Sequence, residues 1–148
     1  MQVVVFSLKN QRFGISTSQV QEIIRYQDVE KIAGMPDYME GMINLRGKVI
    51  PIIDLHLRFK VEEVRKTDSS KIVISDVDSN SMGFTVDDVD EIITFSDEEI
   101  ETIPAILQNS TNAYLKCIAK KSDKLVSIID PSRILTSTEV EEVIEQIQ

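Results

Sequence analysis

One cysteine, one histidine and no tryptophan occur among the 148 residues. A lone cysteine forms no internal disulfide, which suits a reducing cytoplasm. The five glycines, at 14, 34, 41, 47 and 83, are too scattered for a phosphate-cradling loop. No apolar run approaches the roughly 18 residues a membrane-crossing helix needs. The N-terminus, MQVVVFSLKN, lacks a basic n-region, and its apolar run is too short for a signal peptide. Nucleophilic catalysis has little to draw on. His56 shares the parity of Asp54 and Arg58, opposite Leu55, Leu57 and Phe59, so a solvated surface histidine is expected. Cys117 lies in an apolar stretch and reads as a buried structural thiol. Asp76-Val77-Asp78-Ser79-Asn80 has the opening of a calcium loop, but Ser81 stands where the turn glycine belongs and Asp87 where the bidentate Glu belongs. A hairpin turn is expected there. The expectation is therefore no catalytic residues, no cofactor, no metal and no enzyme.

What is present is an ordinary globular composition, 42% hydrophobic and 28% charged. The net charge of −9 is unevenly placed: residues 1–70 carry ten Lys/Arg against nine Asp/Glu, and residues 71–148 carry six against sixteen. Such an acidic half repels phosphate backbones, so nucleic acid is not an expected partner. It serves solubility or the steering of a basic partner.

The stretch Gly41 to Leu57, GMINLRGKVIPIIDLHL, organises the rest. Two apolar runs, Met42 to Leu45 and Val49 to Ile53, flank the turn Arg46-Gly47-Lys48. Strand-length runs around a glycine-containing turn read as a hairpin. Being apolar on both sides, this hairpin belongs in a covered sheet. Further hairpins are expected around Lys9 to Arg12, Asp78 to Ser81 and Lys120 to Asp123. Thr17 to Tyr26 suits either a helix or a turn followed by a strand from Glu22. Asp54 and Asp130-Pro131 open short helical turns. Val61 to Ser70 and the run from Pro104 to Asn112 read as loops. Thr138 with Glu141 predicts a capping box, and Val140, Val143, Ile144 and Ile147 form the stripe of a C-terminal amphipathic helix.

The sequence repeats itself. QVQEII, 19–24, matches DVDEII, 88–93, at an offset of 69 that also sets Gly14 on Gly83. GKVIPIID, 47–54, matches DKLVSIID, 123–130, at an offset of 76 that sets Tyr38 on Tyr114 and Gly41 on Cys117. Each copy holds about five short strands, too few to cover both faces of an open sheet, so small closed barrels are expected. By analogy with EIITF in the second copy, Glu22 to Tyr26 is strand. The expected fold is mainly β: two five-stranded barrels side by side, one from about 1–65 and possibly the helix 138–147, the other from about 70–136. The groove between them is the expected docking region.

EGMINLRGKVIPIIDL closely resembles the signature of the CheW-like domain family. The resemblance continues in register through VVVFSLKNQRFGISTSQVQEII, KIVISDVDSNSMGFTVDDVDEII and YLKCIAKKSDKLVSIIDPSRIL, covering residue 2 to about 136. It is to the stand-alone adaptor of bacterial chemotaxis, without a fused receiver or kinase domain. This implies two SH3-like barrels, no enzymatic activity and a cytoplasmic adaptor, monomeric when isolated and without membrane insertion. It would bridge chemoreceptor tips and the regulatory domain of the histidine kinase CheA. Carried over by position, Val4, Thr17 and Val20 fall on the kinase-docking surface. Arg46 falls on the receptor contact, with Ile72 and Ile92 lining the same groove. Packing is the competing reading for Val20, Ile72 and Ile92, and a local turn contact for Arg46. The family usually carries Gly where Cys117 stands, and Cys would be strained there at positive φ.

Overall fold

The computed structural model describes residues 1–63, 65–105 and 113–147. The loop expected from Pro104 to Asn112 falls largely outside them. Eleven strands and two short α-helices form the described chain. Four hairpins pair β1 (Gln2–Leu8) with β2 (Gln11–Ser16), β4 (Met39–Leu45) with β5 (Lys48–Ile53), β6 (Lys71–Val77) with β7 (Asn80–Val86), and β10 (Leu115–Lys121) with β11 (Lys124–Ile129). Their turns are tighter than the sequence suggests. Lys9-Asn10, Arg46-Gly47 and Asp78-Ser79 each have φ positive at both residues, the backbone that matches strand twist in two-residue hairpins. Asp76 accepts the Ser79 N–H at 2.8 Å within its turn. The ambiguous segment is a 3₁₀ turn, Thr17–Gln19, followed by β3 (Val20–Arg25). Its counterpart is β8 (Asp88–Thr94), and β9 (Ile100–Glu101) adds a two-residue edge.

Two sheets result. One runs β8-β1-β2-β11-β10-β9 and the other β3-β6-β7-β5-β4. The division at residues 65–70 expected from the repeat is therefore not how the strands partner. The first sheet joins β1 and β2 of one copy to β8, β9, β10 and β11 of the other, and the second joins β6 and β7 to β3, β4 and β5. Parallel contacts close the exchange: Gly14 pairs with Ile128 of β11, and Gly83 with Ile52 of β5. Both glycines sit where these strands cross closely. A Cβ on Gly14 would lie 2.4 Å from Val3 Cγ1, and one on Gly83 would lie 2.6 Å from Ile52 Cδ1. The crossing costs little chain, because β2 reaches β3, and β7 reaches β8, in a few residues.

Burial explains why both faces of the sequence read as apolar. Val3, Val5, Phe95, Cys117, Ala119, Val126 and Ile128 fill the first barrel. Ile43, Ile50, Ile52, Ile72 and Ile74 fill the second. Neighbouring positions on the same strands, such as Phe6, Leu8, Val73 and Val77, point the other way into a larger cluster. An aromatic chain runs through it, from Phe13 to Phe59 at 5.4 Å and on to Tyr114 at 4.0 Å between ring centroids. The junction expected to be a groove is thus mostly packed core. What stays open is a cavity of about 690 Å³ at one end, lined by Tyr38, Arg58, Tyr114 and Ile134 among others.

The carboxy-terminal helix, α2 (Ser137–Ile147), lays Val140 and Val143 on that central cluster. Its capping box sits two residues earlier than predicted. Thr136 Oγ1 accepts the Glu139 N–H and Glu139 Oε1 accepts the Thr136 N–H, at 3.2 and 2.8 Å. The earlier start lets Glu139 also receive both terminal nitrogens of Arg58. The two expected helical turns are α1 (Leu55–Phe59), capped by Asp54, and Pro131–Arg133, capped by Asp130. In both, the cap's own N–H donates to a tyrosine carbonyl, Tyr38 or Tyr114, at 2.9 Å.

Candidate functional site

The Arg46-Gly47 turn stands at the mouth of the second barrel. Asn44 Oδ1 accepts the Gly47 N–H at 3.0 Å, and Arg46 itself has φ 52°. The turn aims the guanidinium across the mouth at β3. There Nη1 donates to Glu22 Oε1 at 3.0 Å while Nη2 reaches Oε2. The pair is bidentate, the geometry in which a guanidinium fits a carboxylate best. The Arg46 hydrogen bond, with its charge, holds the Glu22 carboxyl below its ordinary value despite some desolvation. Beside it, Lys48 Nζ donates to Ser81 Oγ at 3.1 Å and Ser81 Oγ donates to Gln21 Oε1 at 2.9 Å. These bonds roof a depression of about 220 Å³ floored by Leu45, Ile50 and Ile74. Ile23 and Val49 are exposed on the two strands that carry this roof, and the Arg46 side chain is 69% exposed. An exposed arginine on a hairpin tip is of a residue type enriched at interface hot spots.

The other sequence-derived positions are scattered by the fold. Val4 is 3% exposed and Ile72 is fully buried inside the second barrel. Packing accounts for both side chains in the free protein. The cause is that β1 and β6 are central strands covered on both faces. Ile92 is 58% exposed, but it lies on β8 in the first sheet, away from Arg46. Thr17 and Val20 are half-buried. Thr17 donates to Gln2 Oε1 at 3.2 Å, and Val20 packs on the central cluster.

His56 is not the surface residue expected. It is 2% exposed, with Nε2 2.9 Å from Asp87 Oδ1 and Nδ1 3.9 Å from Asp54 Oδ1. Asp87 also accepts the Lys9 N–H at 2.6 Å. Strand parity failed here because Leu55–Phe59 is a helical turn. The buried imidazole ties the two sheets together. Cys117 lies at a bulge equivalent to that of Gly41, yet it is not among the residues of positive φ. The anticipated strain is absent. Burial pushes its thiol up, the nearby Lys116 opposing weakly. Gly41, by contrast, has φ 155°, and a Cβ there would lie 2.4 Å from Glu30 O. Among the described residues no group of three His, Cys, Asp or Glu is placed to hold a metal, and no helix is long and apolar enough to cross a membrane.

The family profile of the CheW-like domain matches residues 2–139. The chain belongs to the CheW-like domain family. It is 34% identical over 133 residues to the chemotaxis protein CheW of Bacillus subtilis, covering 90% of this chain and 85% of that protein. It is 29% identical over 137 residues to CheW of Klebsiella aerogenes, covering 93% and 82%. The crystal structure of the scaffolding protein TtCheW from Thermoanaerobacter tengcongensis superposes with a TM-score of 0.84 at 34% identity, over 93% of this chain and 89% of that one. A CheW-like chain of this kind is a chemotaxis scaffold rather than an enzyme, and the two-barrel architecture is that of the family. Sequence reasoning missed Glu22, the partner of Arg46. Its one signal was its place in the repeated block QVQEII/DVDEII, where the carboxylate recurs as Glu91.

Proposed function

We propose that this scaffold couples the cytoplasmic tips of chemoreceptors to the regulatory domain of the histidine kinase CheA. It would work in the cytoplasm, recruited to receptor arrays at the inner face of the membrane, and be monomeric when isolated. The observation that supports this reading best is the exposed Arg46 guanidinium. It is held rigid by Glu22 on a hairpin tip, with Ile23 and Val49 exposed on the same barrel. Holding the arginine in one geometry lowers the entropy lost when a partner docks. Thr17 and Val20, half-buried at the entry to β3, are the remaining candidates for the kinase surface.

The test is co-purification of the full chain with a CheA regulatory domain and a receptor hairpin. Arg46→Glu is expected to lose the receptor and keep the kinase, and Val20→Asp to lose the kinase. Retention of the receptor by Arg46→Glu would remove Arg46 from the receptor surface.

A further inference from the structure

The cavity of about 690 Å³ at the end of the junction is lined by equivalent residues of both copies. At the offset of 76, Tyr38 answers to Tyr114, Leu57 to Arg133, Arg58 to Ile134 and Lys60 to Thr136. The two halves of this wall are finished differently. On the Tyr38 half the protein's own helix α2 closes over it. Tyr38 Oη donates to Glu142 Oε2 at 2.9 Å and to the Glu139 carbonyl at 3.2 Å. Arg58 Nη1 donates to Glu139 Oε2 at 2.8 Å. Positions 61–71, which answer to α2 at the same offset, hold no helix among their described residues and lead into β6. α2 therefore has no counterpart against Tyr114. Tyr114 Oη makes no hydrogen bond among the described residues. Burial alone pushes its phenol up, whereas Glu142 adds to burial at Tyr38. Lys60 Nζ also lacks a hydrogen bond or ion pair among the described residues, and the Arg133 guanidinium has only Asp130, at 3.4 Å. Leu57, on the same wall, is 52% exposed.

We propose that the Tyr114 half of this cavity is a docking site for an acidic amphipathic helix of a partner protein. One carboxylate of that helix accepts from Tyr114 Oη, as Glu142 accepts from Tyr38 Oη. Others meet Lys60 and Arg133, and its apolar face covers Leu57 and Ile134. The occupant is argued from charge and from internal precedent. Arg58, Lys60 and Arg133 line the cavity against one carboxylate, Asp37. In the copy that offers Tyr114, Ala113 stands where Asp37 does, so that half of the lining carries no acid. A phenol hydroxyl and two cations all donate, and together they select an anionic acceptor. α2 shows within the same protein that an acidic helix fits such a wall, its glutamates bonding and its valines packing. Laying the apolar face of a helix in a groove is a common mode of recognition. The site rests on the scaffold reading only in taking its occupant to be a protein, and it uses none of Arg46, Thr17 and Val20.

The probe is residues 136–147 of this chain, TSTEVEEVIEQI, made as a stapled helical peptide and titrated into the full ¹⁵N-labelled protein. Saturable amide shifts are expected at 57–60, 113–114 and 131–135, with the amides of α2 still protected from exchange. A control peptide with both Glu139→Gln and Glu142→Gln should bind about tenfold more weakly, as charge-assisted bonds are lost. In the protein, Tyr114→Phe keeps the ring stacked on Phe59 and should cost about fivefold, the loss of one hydrogen bond. Lys60→Gln with Arg133→Gln should cost about fivefold as well. Thermal melts check that both variants are folded. Equal binding of the control peptide, equal binding by these variants, or no saturable shift would overturn the site. Loss of α2 protection would also overturn it, because the peptide would then be taking the place of α2 against Tyr38. A concentration-dependent dimer that excludes the peptide would overturn it by assigning the face to a second copy. Glutarate giving the same shifts at the same concentration would overturn it in favour of small dianions. None of these results bears on whether Arg46→Glu loses the receptor, so the two readings fail separately.

Discussion

His56 Nε2 lies 2.9 Å from Asp87 Oδ1, joining the helical turn that follows β5 to the crossover between β7 and β8. β5 and β7 belong to one sheet and β8 to the other. Asp87 also takes the Lys9 N–H from the first hairpin of that other sheet. One buried pair therefore fastens the point where the duplicated halves trade strands.

His56→Ala should destabilise the fold by about 2 kcal/mol, because it takes one of two hydrogen-bond partners from a largely buried carboxylate and opens a cavity. Urea denaturation followed by circular dichroism measures this. A change within a few tenths of wild type would show the pair to be incidental.

Gly41→Ala forces a Cβ to within 2.4 Å of Glu30 O at φ 155°. Backbone strain of this kind costs about 1–3 kcal/mol. Cys117→Ala, at the equivalent bulge, keeps an ordinary φ and should cost much less. Thermal melts of the two variants side by side give the comparison; equal losses would refute it.

The C-terminal helix should loosen in acid. Burial raises the Glu139 carboxyl, but the Thr136 N–H and the Arg58 guanidinium outweigh it and leave the group below its ordinary value of 4.5. A carboxyl lowered on folding contributes stability above its unfolded value and loses it as pH falls through the folded one. Protection of α2 against hydrogen exchange should fall as pH drops below 4.5. Arg58→Gln should flatten that pH dependence, because it removes one cause of the lowering. A pH dependence unchanged by Arg58→Gln would exclude this ion pair as its source.

Removing the stripe should detach the same helix. Val143 is fully buried on the central cluster, and Val143→Asp places an unpaired charge there, at a cost of several kcal/mol. Limited proteolysis should then cut within 137–147 while the barrels stay resistant. Resistance of that segment would mean the helix is held by its polar contacts alone.

Much of the fold was legible in the chain because it is written in local terms. Alternation, tight turns and caps are decided within a few residues, so the four hairpins, Asp54, Asp130 and the apolar stripe of α2 could be read directly. The repeat, and the resemblance carried by NLRGKVIPIID, identified the architecture. Errors arose where a residue's environment is supplied from afar. Val4 and Ile72 were placed on docking surfaces by the resemblance alone, and the burial of both became visible only in the fold. His56 looked solvated because the parity of a strand was applied to a helical turn.

The sequence alone determined the strands, their turns and the duplication, since these depend on residue type and short-range spacing. Only the tertiary structure decided which copy's strands share a sheet, which apolar faces meet at the junction, and that Arg46 finds Glu22. The reason is that backbone pairing is nearly indifferent to which of two similar copies supplies the partner. The choice falls to the short crossovers, the close approaches at Gly14 and Gly83, and the packing of the shared core.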